Sequence, residues 1–246
     1  MTEKPDTWQI NRSIGRFKGD RRALVLLVLL AIGVAAWGWL ESNPHYNPWA
    51  PLDLRDPVGP ATASKLAALK DDPELCRAVL DESNVSYTVL EPAGEGPCLR
   101  DDRTQLTDYP LNPATPAATC PVAAALAMWR TKTLDPAAQE IFGSEIAQIQ
   151  HYGTYACRRL YWRDDGPWSE HATGNAIDIS GFVLADGRQI SVLNDWDGDE
   201  DEQRFLRRVR DGACQVFATA LSPDYNAQHA DHFHFDQAGS WSGVCR

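Results

Sequence analysis

The chain has 246 residues, 43% of them hydrophobic and 23% charged, which is enough for one sizeable globular domain with accessory segments. Its formal net charge is −11. That excess of acid argues against nucleic acid as a partner, because a phosphate-binding surface needs a basic patch.

The first predicted element is a membrane helix. Residues 23–40, ALVLLVLLAIGVAAWGWL, carry no charge and no strongly polar group, and a bilayer core takes about 20 apolar residues, with a lower limit near 17. Arg12, Arg16, Lys18, Arg21 and Arg22 precede the stretch, and no Lys or Arg follows until Arg55. The positive-inside rule therefore assigns residues 1–22 to the cytoplasm and everything after residue 40 to the outer side. Trp37 and Trp39 stand at the outer end, where an aromatic belt belongs. The run is longer than the apolar core of a cleaved signal peptide and no A-x-A-like site follows it, so an uncleaved anchor is the favoured reading. Residues 41–60 contain five prolines and read as a stiff extended spacer, which puts the globular domain at residues 61–246.

All six cysteines (Cys76, Cys98, Cys120, Cys157, Cys214 and Cys245) lie beyond the apolar stretch. An even count on the outer side of a membrane suggests three disulfides, with Cys76 expected to pair with its sequence neighbour Cys98. TASKLAALK and DPELCRAVL read as short helices, the second opened by an Asp cap and a Pro. YTVLEP reads as a strand and residues 98–119 as loop. CPVAAALAMWRTKTL and DPAAQEIFGSEIAQIQ are helix candidates. YACRRLYW alternates like a strand, and AIDISGFVLADGRQISVL reads as two strands joined at ADG. A helix is expected over roughly 200–220, with Phe205, Leu206, Val209, Ala213, Val216 and Phe217 on one face. HFHFD closes the domain as a strand. Helices first and an antiparallel sheet afterwards predict an α+β domain, a small antiparallel sheet flanked by helices. DWDGDED, residues 195–201, fails as an EF-hand because Glu200 and Leu206 occupy the positions that need Gly and Glu. Its acids suit the N-terminus of the next helix instead.

Four of the six histidines fall in two short segments, SEHATGNAID (169–178) and HADHFHFD (229–236). Gly174 permits a sharp turn, so His171 on a loop and Asp178 on the following strand can converge. His232 and His234 are two apart and face one side of a strand. Two imidazoles and a carboxylate are a usual donor set for catalytic zinc, which keeps a fourth position open.

These motifs resemble the LAS group of metallopeptidases (lysostaphin, D-Ala-D-Ala metallopeptidases and sonic hedgehog). Ser169, His171, Gly174, Ala176 and Asp178 match its S-x-H-x-x-G-x-A-x-D stretch. CRR, SEHATGNAIDISGF, ADGRQISV and HADHFHFD are more closely similar to the bacterial extensin-like C-terminal family, over roughly residues 72–246. The resemblance implies a fold in which the sheet carries the zinc site, and a Zn2+ held by His171, Asp178 and His234. It implies that Asp231 is the general base, at the position where D-Ala-D-Ala peptidases carry a Glu. That carboxylate is one methylene shorter here, which leaves His232 or His229 as participants. It further implies that His232 stabilises the transition state, and that Arg158 and Ser169 bind substrate. The expected function is a zinc metallopeptidase hydrolysing peptidoglycan peptides, anchored in the bacterial inner membrane with its catalytic domain in the periplasm. The alternative is a zinc-stabilised peptidoglycan-binding module without hydrolysis, as sonic hedgehog shows the scaffold to allow.

Overall fold

The computed structural model describes residues 18–239 and 243–246, in two units, residues up to Asn43 and Pro44–Arg246. The first unit is one helix, α1 (Lys18–Ser42), with its apolar side chains exposed along its length. Within Gly19–Ser42 an 18-residue window has a mean hydropathy of 2.5, and the helix is long and apolar enough to cross a membrane. Most of the expected cytoplasmic tail, with Arg12 and Arg16, lies outside the described residues.

The second unit runs α2 (Thr62–Ala68), α3 (Pro73–Glu82), β1 (Tyr87–Val89), β2 (Thr104–Leu106), β3 (Leu111–Asn112), α4 (Cys120–Trp129) and α5 (Asp135–Phe142). There follow β4 (Ile146–Gly153), β5 (Ala176–Leu184), β6 (Gln189–Ser191), α6 (Val192–Asp195), α7 (Glu200–Ala213), β7 (Thr219–Leu221), β8 (Phe233–Asp236) and β9 (Val244–Cys245). The main sheet has seven strands in the order β3-β4-β5-β8-β7-β9, with β6 also paired to β5, while β1 and β2 form a separate ribbon. The small antiparallel sheet expected from the sequence is therefore corrected to a larger mixed one. Its centre is antiparallel, but β3 runs parallel to β4, and β9 parallel to β7. The two parallel pairings involve two-residue strands, too short to announce themselves by alternation.

The core lies between one sheet face and the helices. All ten residues of α4 are buried, as its uninterrupted CPVAAALAMW sequence requires. Trp129 at its end packs on Phe182 of β5 and Phe235 of β8, and donates its indole N–H to the Val209 carbonyl at 2.9 Å. α7 adds Phe205, edge-on to Phe182. Its first turn carries Glu200, Asp201 and Glu202, the charge placement that the helix dipole favours. Between α4 and α5 the chain makes a π-helical turn, Arg130–Leu134. Gly212 of α7 sits against that turn, so closely that a Cβ there would run into the side chain of Thr133.

Several expectations change. α5 stops at Gly143, whose left-handed conformation (φ +64) ends the helix, and IAQIQ becomes β4. Register shifts along β4 leave Ile146 and Ile149 as its buried residues, and a spacing of three imitates a helix. YACRRLYW is not a strand; it holds one isolated bridge, Arg159 to Trp168, and a 3-10 turn at Leu160–Trp162. The last helix ends at Ala213, with Val216 and Phe217 buried beyond it. Residues 98–119 contain two short strands rather than loop alone.

The proline-rich segment is also not a stiff spacer standing outside the domain. From Pro44 onward it belongs to the globular unit. Leu52 and Leu54 are buried, Leu54 donates its N–H to Ser83 Oγ at 3.1 Å, and Lys65 Nζ donates to the Pro44 carbonyl at 2.7 Å. The expected Cys76–Cys98 pairing is likewise replaced. The disulfides are Cys76–Cys120, joining α3 to α4, Cys98–Cys157, and Cys214–Cys245, joining the end of α7 to β9.

Replacing Gly212 by Ala should lower unfolding stability by about 1–3 kcal/mol, the usual cost of forcing extra volume into a packed contact. Chemical denaturation of wild type and variant in the same detergent measures it, and an unchanged midpoint would mean that the α7 contact at Thr133 is loose.

Candidate metal centre

The centre is built by strand alternation. On β5, Ile177 and Ile179 are buried; on β8, Phe233 and Phe235 are buried. Asp178, His234 and Asp236, the intervening residues, must then share the opposite sheet face. Asp178 and His234 are direct partners in the antiparallel register. Burying the four apolar side chains stabilises the strands by roughly 1.5–3 kcal/mol each, which fixes the register, because a one-residue slip would turn all of them to the wrong face.

His171 arrives from outside the sheet. It sits in a single 3-10 turn, Glu170–Thr173, capped by Ser169, whose Oγ accepts the His171 N–H at 3.3 Å. Gly174 (φ +75) then sends the chain into β5. Asn175, fully buried, secures the junction by accepting from Thr119 Oγ1 at 2.8 Å and donating to Glu170 Oε2 at 2.5 Å.

Three donor atoms converge. His171 Nε2 lies 3.1 Å from Asp178 Oδ1 and 3.1 Å from His234 Nδ1, and the latter two are 2.9 Å apart. The outer nitrogens fix the tautomers. His171 Nδ1 is 3.1 Å from the Thr154 carbonyl, which can only accept, so it carries the hydrogen and leaves Nε2 with its lone pair inward. His234 Nε2 is 2.9 Å from Asp236 Oδ2 and donates to it, turning the Nδ1 lone pair inward too. Three lone pairs facing one point require a cation there. Edges of 2.9–3.1 Å approach the ~3.3 Å separation of ligands around tetrahedral zinc with bonds near 2.0–2.1 Å. The residues therefore fit a divalent metal, and each histidine has the outer hydrogen bond that metal-binding imidazoles need. Among the described residues, these are the three whose ligand atoms form such a group.

The titration behaviour has the same cause. Burial pushes the Asp178 carboxyl up, but the facing His171 and His234 rings, when they carry a proton toward it, outweigh that and hold it well below the usual carboxylate range. Burial alone would lower His234; hydrogen bonds to Asp178 and Asp236 raise it to about 9. In the metal-free protein, the cation at the centre is thus a proton on His234.

An open cleft of about 440 Å3 lies over the centre. Asp231, His232, Arg158 and Ser169 all line it together with Asp178 and His234. His232 Nδ1 is 2.7 Å from Asp231 Oδ1, and its Nε2 is 3.7 Å from Asp178 Oδ1. Arg158 holds its guanidinium 5.1 Å above the Trp162 ring. Ser169 lines the wall, but its hydroxyl already serves the turn that carries His171. Burial and the charges of His234 and His232 lower His229 to about 4, so it is neutral at pH 7.

Three members were not read from the sequence. Tyr152 donates its hydroxyl to Asp231 Oδ2 at 3.3 Å and packs edge-on to the His232 ring. Thr154 acts through its backbone carbonyl, which leaves no trace in residue identity. Asp236 was legible, being two positions after His234 on the same strand face.

The model of the family described as "Extensin-like protein C-terminus" matches residues 74–246. The chain belongs to this extensin-like family. Searches of curated proteins and of solved structures return no match. The match takes in all of the candidate centre's side chains and both partners of each disulfide, so the extensin-like domain contains the candidate centre and the cross-links around it.

Two predictions follow from this geometry. Asp236→Asn should weaken zinc binding about 10–100-fold, the range found when a carboxylate behind a ligating histidine is altered; competition with a chromophoric chelator measures it. Zinc binding should also expel the His234 proton. At pH 7, below a folded pKa of about 9, about one proton is released, and affinity climbs about tenfold per pH unit before levelling off above that pKa. Calorimetry in buffers of different ionisation enthalpy counts the protons, and a count near zero at pH 7 would show that His234 is already neutral.

Proposed function

We propose that this chain is a zinc-dependent peptidase hydrolysing the stem peptides or cross-links of peptidoglycan. In this reading α1 anchors it in the bacterial inner membrane, with the N-terminus cytoplasmic and the extensin-like domain in the periplasm. The observation that carries the reading is the meeting of three inward lone pairs beside a hydrogen-bonded Asp231–His232 pair in one open cleft. The sequence likeness of SEHATGNAID and HADHFHFD to the LAS metallopeptidases supports it, as does a basic flank before the apolar stretch at residue 23, with no Lys or Arg from there to Arg55.

His171, Asp178 and His234 would hold Zn2+. Bound there, zinc would polarise the scissile carbonyl and lower the pKa of a water at the site toward 7. The chain's own residues supply the proton transfers. The Asp231 carboxylate orients His232 by accepting from Nδ1, which turns Nε2 toward the centre. That nitrogen takes the proton of the attacking water, Asp231 stabilises the resulting imidazolium, and the proton passes to the leaving amine as the C–N bond breaks. While charged, His232 also donates to the developing oxyanion. The Asp231–His232 hydrogen bond thus merges the two roles that the sequence assigns separately. Tyr152 restrains Asp231 from its other oxygen, and Arg158, which lines the same cleft, would pair with a peptide carboxylate.

The test uses the full-length protein in detergent, loaded with zinc and incubated with cross-linked muropeptides, with products read by mass spectrometry. Cleavage is expected, falling about 10^2–10^4-fold in Asp231→Asn and vanishing together with metal in His234→Ala. Absence of products, with one equivalent of zinc and muropeptide both bound, would turn the reading to the non-hydrolysing binding module.

A further inference from the structure

Residues 158–169 form a closed loop beside the centre. Cys157, at its entry, is tied to Cys98. Leu160 N–H donates to the Pro167 carbonyl at 3.0 Å and Ser169 N–H to the Arg158 carbonyl at 3.1 Å, so the two limbs are paired down to the turn that carries His171. Inside this frame Tyr161 and Trp162 both have φ +58. Bulky L residues rarely adopt that conformation, and it persists only where the surroundings impose it. Glycine would close the loop with less strain. Instead the turn presents two aromatic rings, with Trp162 76% exposed and Tyr161 43% exposed, both lining the cleft over Asp178 and His234. Tyr161 is hydrogen-bonded to Tyr225, and Arg158 lies over the Trp162 ring. Neither ring contributes to the core.

We propose that Tyr161 and Trp162 form a stacking platform for a pyranose ring of the glycan strand, so that the preferred substrate is a sugar-bearing peptide rather than a free one. This rests on the peptidoglycan reading and names a second feature of the same substrate. A pyranose offers flat C–H faces edged by hydroxyl and amide groups. An exposed indole beside a guanidinium and a phenol offers the complement: an apolar plane with hydrogen-bonding groups around it. A peptide without aromatic side chains has no such face. An acyl chain calls for an enclosed apolar groove, whereas this cleft is open and lined by imidazoles and carboxylates. The cleft volume of about 440 Å3 lies within the roughly 300–1,000 Å3 of ligand pockets, leaving room for more than one ligand group.

The experiment titrates the full-length protein in detergent, without added metal, with a disaccharide-tetrapeptide and with the same tetrapeptide lacking the sugar. Calorimetry should show the sugar-bearing ligand bound about five- to tenfold more tightly. Trp162→Ala should erase that preference, and Trp162→Phe should keep most of it. Equal affinities in wild type, no binding of either ligand, or a preference that survives Trp162→Ala would each overturn the platform. The two readings fail separately. A sugar preference without muropeptide cleavage sinks the peptidase and keeps the platform, while cleavage without sugar preference does the reverse.

Discussion

Three lone pairs pointed at one another are the constraint around which this domain is arranged. His171 Nε2, Asp178 Oδ1 and His234 Nδ1 lie 2.9–3.1 Å apart, and Thr154 and Asp236 hold both imidazoles in the tautomer that turns electron density inward. Such a cluster is repulsive unless something positive occupies it, and in a mostly buried site solvent screens the repulsion poorly. A proton satisfies it at a cost in selectivity, since it can settle on only one of the three groups. A divalent cation satisfies all three together. The pull that raises His234 to about 9 is the proton's version of the attraction a metal would feel.

The scaffold's part is rigidity. Two of the three donors stand on adjacent strands whose other faces are clamped by Ile177, Ile179, Phe233 and Phe235. Trp129 and Phe217 pack against Phe235 from the helix side. Moving Asp178 or His234 therefore means disturbing fully buried core side chains. His171 lacks a strand to hold it, and in its place it has the Ser169 cap, the Gly174 turn and the buried Asn175 network. The Cys98–Cys157 disulfide stiffens the same region from outside, and it fastens the loop that holds Arg158 and the two strained aromatics.

The centre was more legible in the sequence than the fold around it, for a physical reason. The candidate residues are marked by residue type and local spacing: His171 and Asp178 across a glycine turn, His232 and His234 on one strand face. Both are short-range patterns. The sheet is specified by long-range pairing, and its edges fell below what periodicity detects. β3 and β9 have two residues each, and β4 carries register shifts that broke its alternation into a helix-like spacing. The disulfides failed in the same way, since Cys76 pairs not with its neighbour in sequence but with Cys120, which the packing of α3 on α4 brings to it. The proline-rich segment misled through composition: prolines do favour extended chain, but Leu52 and Leu54 are the residues that decide, and they are buried.

That last correction bears on where the domain begins. A stiff spacer would stand outside the core, with its backbone groups left to solvent. Instead the Pro44 carbonyl accepts from Lys65 Nζ, Leu54 N–H donates to Ser83 Oγ, and Leu52 and Leu54 are buried. The prolines therefore shape a segment of the domain's own packing: each fixes φ where the chain crosses the domain, and the apolar residues between them supply the burial that holds the segment there.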